Sequence, residues 1–390
     1  MKRTDLIAVA VCFLLAAALF TNLLVTLLVG LLAAAIYHAV YRRNRKVMVL
    51  LVSLLASYLL LEFFGGIAIR RHIARTHHVD LDHRMKANPA AGINSDGIRC
   101  PVEASDFTAD TYNIIFLGDS FTYGERLADG GEAFPAQLEA LCRAKYPAAK
   151  VRAVNFAWVS SSPLLSARLL KDIGQKYKPR LVVYCLDMTD FHDDLRYLVG
   201  AQYIGVSPTA FLLAKAGLAA ELSELKKRWN FPELWARLTG RGAVVPGDRF
   251  FVVNQPLGES IEYMQATENN LREIDAFCRE QLNAKFVLVM LPRGFQYSDK
   301  ESRRSWEAYA YTPLGPYVLE PFKWLKSFRA RAGFPCYSLL EDFQNSTVFP
   351  TCFDDDPHWT KEGHAVAARG MLRILDKEGT LTREPLTTNH

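Results

Sequence analysis

The chain has 390 residues, half of them hydrophobic, and a formal net charge of +5. A charge this small, spread along the chain, excludes a nucleic-acid-binding stripe, and the length allows one large domain or two with accessory segments. Its seven cysteines form neither a C-x-x-C pair nor a Cys/His zinc spacing, so no metal site and no cofactor is expected.

The N-terminus carries the hydrophobic excess. Residues 6–41 are almost uninterrupted Leu, Ala, Val and Ile, and 47–69 form a second such run. As one helix the first run would extend roughly 54 Å, against a hydrocarbon core of about 30 Å. A fold at the polar pair Thr21-Asn22 gives two spans, 6–20 and 23–41, and 47–69 gives a third, so residues 1–72 are expected to form a membrane domain. Lys2 and Arg3 precede the first run, and Arg42, Arg43, Arg45 and Lys46 follow it. The tendency of basic flanks to stay in the cytoplasm puts both clusters inside and everything after the third span outside. That orientation expects a multi-pass protein of a bacterial-type inner (plasma) membrane with an extracytoplasmic (periplasmic) catalytic domain. Glu62 interrupts the third run, and a carboxylate there is a candidate for a relay or partner contact.

Residues 73–105, with His72, His77, His78 and His83 in and just before them, are read as a solvated connector. From 106 to 380 short apolar runs at 113–117, 151–156, 181–186 and 286–291 alternate with helical patterns at 134–145, 166–177, 260–283 and 361–377. This alternation predicts an α/β domain, a parallel sheet with helices on both faces. Residues 200–258, rich in Leu, Ala and aromatics, are too long for a simple crossover and are read as a helical insertion; 381–390 are read as a frayed tail. In an oxidising compartment Cys336 could pair with Cys352, and Cys100 with Cys142, or all four could be small buried thiols.

Two segments carry the chemistry. "IFLGDSFTYG" (115–124) runs from the first strand into an abrupt turn at Gly118-Asp119-Ser120. That turn lies at the carboxyl end of a parallel strand, where ligands bind in such sheets, and opens a helix whose amides favour negative charge. A serine nucleophile needs a base, and "FDDDPHWTKEGH" (353–364) offers His358 with Asp355 three residues before it and Asp354 and Asp356 alongside. A carboxylate on Nδ1 would leave Nε2 to take the serine proton. His364 is read as packing or capping.

Gly118-Asp119-Ser120 and Asp355-Asp356-Pro357-His358 together resemble the first and last blocks of the SGNH, or GDSL, hydrolases over roughly residues 95–378. The resemblance implies a flavodoxin-like fold and an esterase, deacetylase or acyltransferase activity, with Ser120 as nucleophile, His358 as base and Asp355 orienting it. The middle blocks depart from the family. "NFAWVSSSP" puts Ala157 where an oxyanion glycine is expected, and "CLDMTDF" puts Thr189-Asp190 where Asn-Asp is expected. The oxyanion and substrate group is therefore Ala157, Thr189, Asn155 and Asp190, with Ser160 a further possible donor. Trp158 and Trp359 are candidates either to stack on a sugar or simply to pack, and Arg293 reads as a surface salt bridge, with contact to an anionic substrate group as the alternative.

These features predict a membrane-anchored serine esterase or O-acyltransferase acting on acyl, chiefly acetyl, esters of a cell-envelope glycan or lipid-linked sugar. Expected partners are the bilayer, that substrate and a membrane acyl-donor protein. Two other readings stand beside it: a catalytically weak scaffold subunit of a membrane acyl-transfer complex, and a metal-dependent hydrolase using the 354–358 turn.

Overall fold

The computed structural model describes residues 30–37, 45–78, 81–200, 208, 245–379 and 381. The chain divides into two compact units, Met1–Ile73 with Ile204–Trp229 and Ala74–Tyr203 with Asn230–His390. The expected spans 6–20 and most of 23–41, most of the 200–258 insertion and nearly all of the tail lie outside the described residues.

In the first unit, residues 30–37 are helical. Helix α1, Arg45–Thr76, carries the expected third run. Its segment Val49–Thr76 is long and apolar enough to cross a membrane, and its large side chains, Val49, Leu50, Phe63 and Phe64 among them, are exposed. An apolar helix with this many large apolar side chains exposed is suited to an apolar solvent. The helix runs past the expected end at Ile69 through Arg70, Arg71 and Arg75; arginine is a good helix former whose stem can lie on apolar surface while its head stays wet.

The second unit is built on five parallel strands: β1 Tyr112–Gly118, β2 Val151–Asn155, β3 Leu181–Leu186, β4 Lys285–Met290 and β5 Cys336–Ser338, in the order β2-β1-β3-β4-β5. This is the flavodoxin-like order. β1, β3 and β4 are buried along nearly their whole length, which is why they read as continuous apolar runs rather than alternating ones. The short β5 gave no periodic signal; it pairs with β4 through Leu288↔Cys336 to Met290↔Ser338.

In chain order the helices that frame the site are α2 Ser120–Tyr123, α3 Phe134–Lys145, α4 Pro163–Ile173, α5 Asp190–Gly200, α6 Gln265–Phe277, α7 Glu320–Ala332 and α8 Lys361–Lys377. α3 and α8 pack on each other and cover one face, where Phe134, Leu138, Met371 and Ile374 meet Phe116, Val183 and Val287. α4 and α6 pack together on the other. α4 begins three residues before the expected start, with Pro163 in its first turn, where a missing N–H costs nothing. α8 begins where expected, its Thr360 side chain accepting from Gly363 N–H at 3.2 Å.

The connector is less solvated than expected. Asp82, His83 and Arg84 are buried, and His83 meets the rings of Trp158 and Tyr197 edge-on. Phe250 to Val253, within the expected insertion, are also buried. Cys100, Cys142, Cys185, Cys278, Cys336 and Cys352 are all free and buried, so neither candidate disulfide is present.

Candidate active site

β1 and β3 lie side by side while β2 is on β1's other edge, so the chain changes winding direction at β1, and the crevice opens at its carboxyl end. Gly118 closes β1 with φ +152°, and a Cβ there would lie 2.5 Å from Thr122 Oγ1 and 2.9 Å from the Cys185 carbonyl. Only glycine makes this turn without displacing β3. Asp119 then caps α2, its carboxylate accepting from Phe121 N–H at 3.0 Å. Ser120 is the first helical residue, where N–H groups have no intrahelical acceptor. Burial and the nearby Asp187 charge push the Asp119 carboxyl upward.

The candidate base arrives from the loop before α8. Cys352 bridges to Trp359, and Phe353 N–H bonds the His358 carbonyl at 3.0 Å, so the intervening residues form a closed turn. His358 Nε2 lies 2.7 Å from Ser120 Oγ, 238 residues away in sequence. The His358 ring packs on Phe121 with centroids 4.9 Å apart.

The carboxylate on Nδ1 is Asp356, not Asp355. Asp356 Oδ1 lies 2.5 Å from Nδ1 and also accepts His358 N–H at 3.1 Å. Asp355 points outward, its side chain 64% exposed and paired with Arg126 at 2.7 Å. The physical reason is local. Asp356 precedes Pro357, which disfavours the helical region for it, and an aspartate two residues before an amide closes an Asx turn onto that amide. Burial works to raise the Asp356 pKa, but the hydrogen bonds and charge of His358 outweigh it and hold the carboxyl below its usual range. An ionised Asp356 selects the Nδ1–H tautomer and leaves the Nε2 lone pair facing the serine hydroxyl.

The expected oxyanion residues are engaged elsewhere. Asn155 Nδ2 donates to the Thr122 carbonyl at 2.8 Å and its Oδ1 accepts Ala157 N–H at 3.1 Å, so the Asn155 amide and the Ala157 N–H are both used in bracing α2. Asn155 also borders an outer cleft of about 740 Å³ shared with Arg99 and Arg152. The Thr189 hydroxyl donates to Asp187 Oδ2 at 2.5 Å rather than facing the crevice. Asp190 is buried, accepting from Tyr184 Oη and Asp187 N–H, and its burial with the Asp119 and Asp187 charges pushes its pKa well up.

Arg293 is not the expected surface residue. It is 3% exposed, makes two 2.8 Å bonds to Asp187 and pairs with Glu307. Its guanidinium lies 4.9 Å from the Phe121 ring centroid, so a paired cation forms the floor under the Ser120 turn. Trp158 and Trp359 are buried and offer no face to a sugar. His364 is packed as expected: its Nδ1 accepts Phe134 N–H at 3.2 Å and burial lowers its pKa to about 3. Among the described residues no group of three or more metal-ligating side chains is present.

Two features of the site had weak sequence signals. Ser160, after β2, holds φ +60°, a left-handed conformation uncommon for a residue with a Cβ; among the described residues its N–H makes no hydrogen bond, while its carbonyl accepts Tyr197 Oη at 2.8 Å. Trp306 donates from Nε1 to Asp356 Oδ2 at 3.2 Å. Ser160 entered the sequence reading only as a further possible donor in the NFAWVSSSP stretch, and no motif singles out Trp306.

The sheet is flavodoxin-like, with a Gly-Asp-Ser turn after its first strand joined to a His and an Asp before its last helix, the arrangement that the resemblance to the SGNH/GDSL hydrolases implies. Solved structures with similarity to this chain include TesA at 13% identity (68% of this chain, 98% of that one, TM-score 0.38). A putative GDSL-like lipase from Parabacteroides merdae matches at 11% (69% and 98%, TM-score 0.41), and the esterase EstA from Pseudoalteromonas sp. at 11% (69% and 98%, TM-score 0.38). No family model and no curated protein matches the sequence.

Proposed function

We propose that the chain is a membrane-anchored serine esterase or O-acyltransferase. The observation that carries this reading is the relay Ser120 Oγ, His358 Nε2 at 2.7 Å, and His358 Nδ1 to Asp356 Oδ1 at 2.5 Å. Ser120 Oγ attacks the ester carbonyl as its proton passes to His358 Nε2, and His358 returns that proton to the departing alkoxide, leaving acyl-Ser120. Water then gives hydrolysis, and a sugar hydroxyl gives transfer, with His358 as base again. The Ser120 N–H, and the Ser160 N–H in place of Ala157, serve as oxyanion donors. The acyl group is acetyl, and the substrate an extracytoplasmic cell-envelope glycan or lipid-linked sugar. The apolar length of α1 supports the anchor, and the basic flanks support an inner-membrane protein with its catalytic unit outside the cytoplasm.

A second reading, the weak scaffold subunit beside an acyl-donor membrane protein, draws support from the Thr189 hydroxyl and Asn155 amide being engaged with protein groups. Fluorophosphonate labelling of the detergent-solubilised full-length chain separates the two. The esterase reading expects labelling that Ser120→Ala and His358→Ala abolish; an unlabelled, folded wild type overturns it and leaves the scaffold.

A further inference from the structure

Trp306 is 55% exposed although its indole N–H is held by the outer oxygen of Asp356. The loop that carries it is fastened on both sides. Ser302 Oγ donates to the Asp356 carbonyl and Arg304 N–H to the Asp354 carbonyl, while buried Glu307 pairs with Arg293. The ring is therefore a fixed flat face, one hydrogen bond beyond the carboxylate that orients His358. Around it the rim is charged: Arg304 pairs with Asp354, and Arg126 with Asp355.

We propose that Trp306 is a saccharide-stacking platform, the subsite that holds a pyranose ring next to the esterified unit. This inference rests on the acyl-glycan reading above. A rigid aromatic face matches the apolar C–H face of a pyranose, and the flanking guanidinium and carboxylate groups match its outward hydroxyls. An acyl chain would instead need a continuous apolar groove, and Arg126, Arg304, Asp354 and Asp355 interrupt any such groove here.

The test uses full-length Ser120→Ala protein in a sugar-free detergent, titrated calorimetrically with cello-, xylo- and chitotetraose. At least one should bind, with affinity falling about tenfold in an added Trp306→Leu and by less than about threefold in Trp306→Phe, which keeps a ring but loses the N–H. In parallel, with Ser120 intact, vinyl acetate hydrolysis should fall equally in Trp306→Phe and Trp306→Leu, since both lose the bond to Asp356 and the substrate has no ring. Unchanged saccharide affinity in Trp306→Leu, or no binding of any of the three, overturns the platform, and vinyl acetate turnover in that case leaves the esterase reading standing. Saccharide binding that depends on Trp306, without vinyl acetate turnover, keeps the platform and removes the esterase.

Discussion

Three consecutive aspartates precede His358, and one of them, Asp356, carries the relay while its neighbour Asp355 faces solvent. Asp356→Asn should lower kcat on 4-nitrophenyl acetate by about 10³–10⁴-fold, because the amide no longer selects the productive tautomer. Asp355→Asn removes only an exposed ion pair, worth under about 1 kcal/mol, and should leave kcat within about threefold. Equal losses in the two would return the role to Asp355. His364 makes a second prediction. Its folded pKa, about 3, lies below the unfolded value of about 6.5, so the unfolded chain takes up the proton first. Its contribution is complete above pH 6.5 and is lost as pH falls through that window towards 3. Denaturant unfolding from pH 6.5 to 5 should show stability falling in wild type, and a shallower fall in His364→Asn.

The strands and the long helices were legible because burial on both faces and amphipathic spacing leave periodic marks, and α3 and α8 fall where those marks predict. Elements without a period were not. β5 has three residues, and α2, with four, owes its position to Gly118, Asp119 and Asn155 rather than to any helical pattern. For the site, Ser120 and His358 could be read from their motifs, because one directly follows β1 and the other lies in the turn just before α8. Asp356 could have been reached from Asp-Pro turn chemistry. Arg293 could not: a lone arginine after a strand becomes a buried ion pair only because Asp187 and Glu307, distant in sequence, converge on it. At this scale Gly118→Ala is the informative change. The added methyl meets the Cys185 carbonyl, so β1 and β3 must part locally; a loss of roughly 1–3 kcal/mol is expected, with impaired fluorophosphonate labelling. A variant with wild-type melting temperature and labelling would show the turn to be more tolerant.

For the whole molecule, α1 and the sheet ask for different solvents. Val49–Thr76 exposes many large apolar side chains, whereas the second unit buries its own core within its layers. Expressed full-length protein should therefore sediment with membranes and resist alkaline carbonate extraction while yielding to detergent. Release by carbonate alone would remove the anchor and with it the case for an envelope substrate held beside the bilayer.

The 238-position separation of Ser120 from His358 also bears on timing. Synthesis delivers Ser120 long before His358, so on the proposed reading a polypeptide that stops between them carries a serine without its base. On that reading the relay closes only when α8 has docked on α3 and brought the 352–359 turn to the sheet edge. A chain that stalls in synthesis, or is clipped ahead of that turn, then lacks the relay, and any check on residues 352–377 is a check on the proposed chemistry.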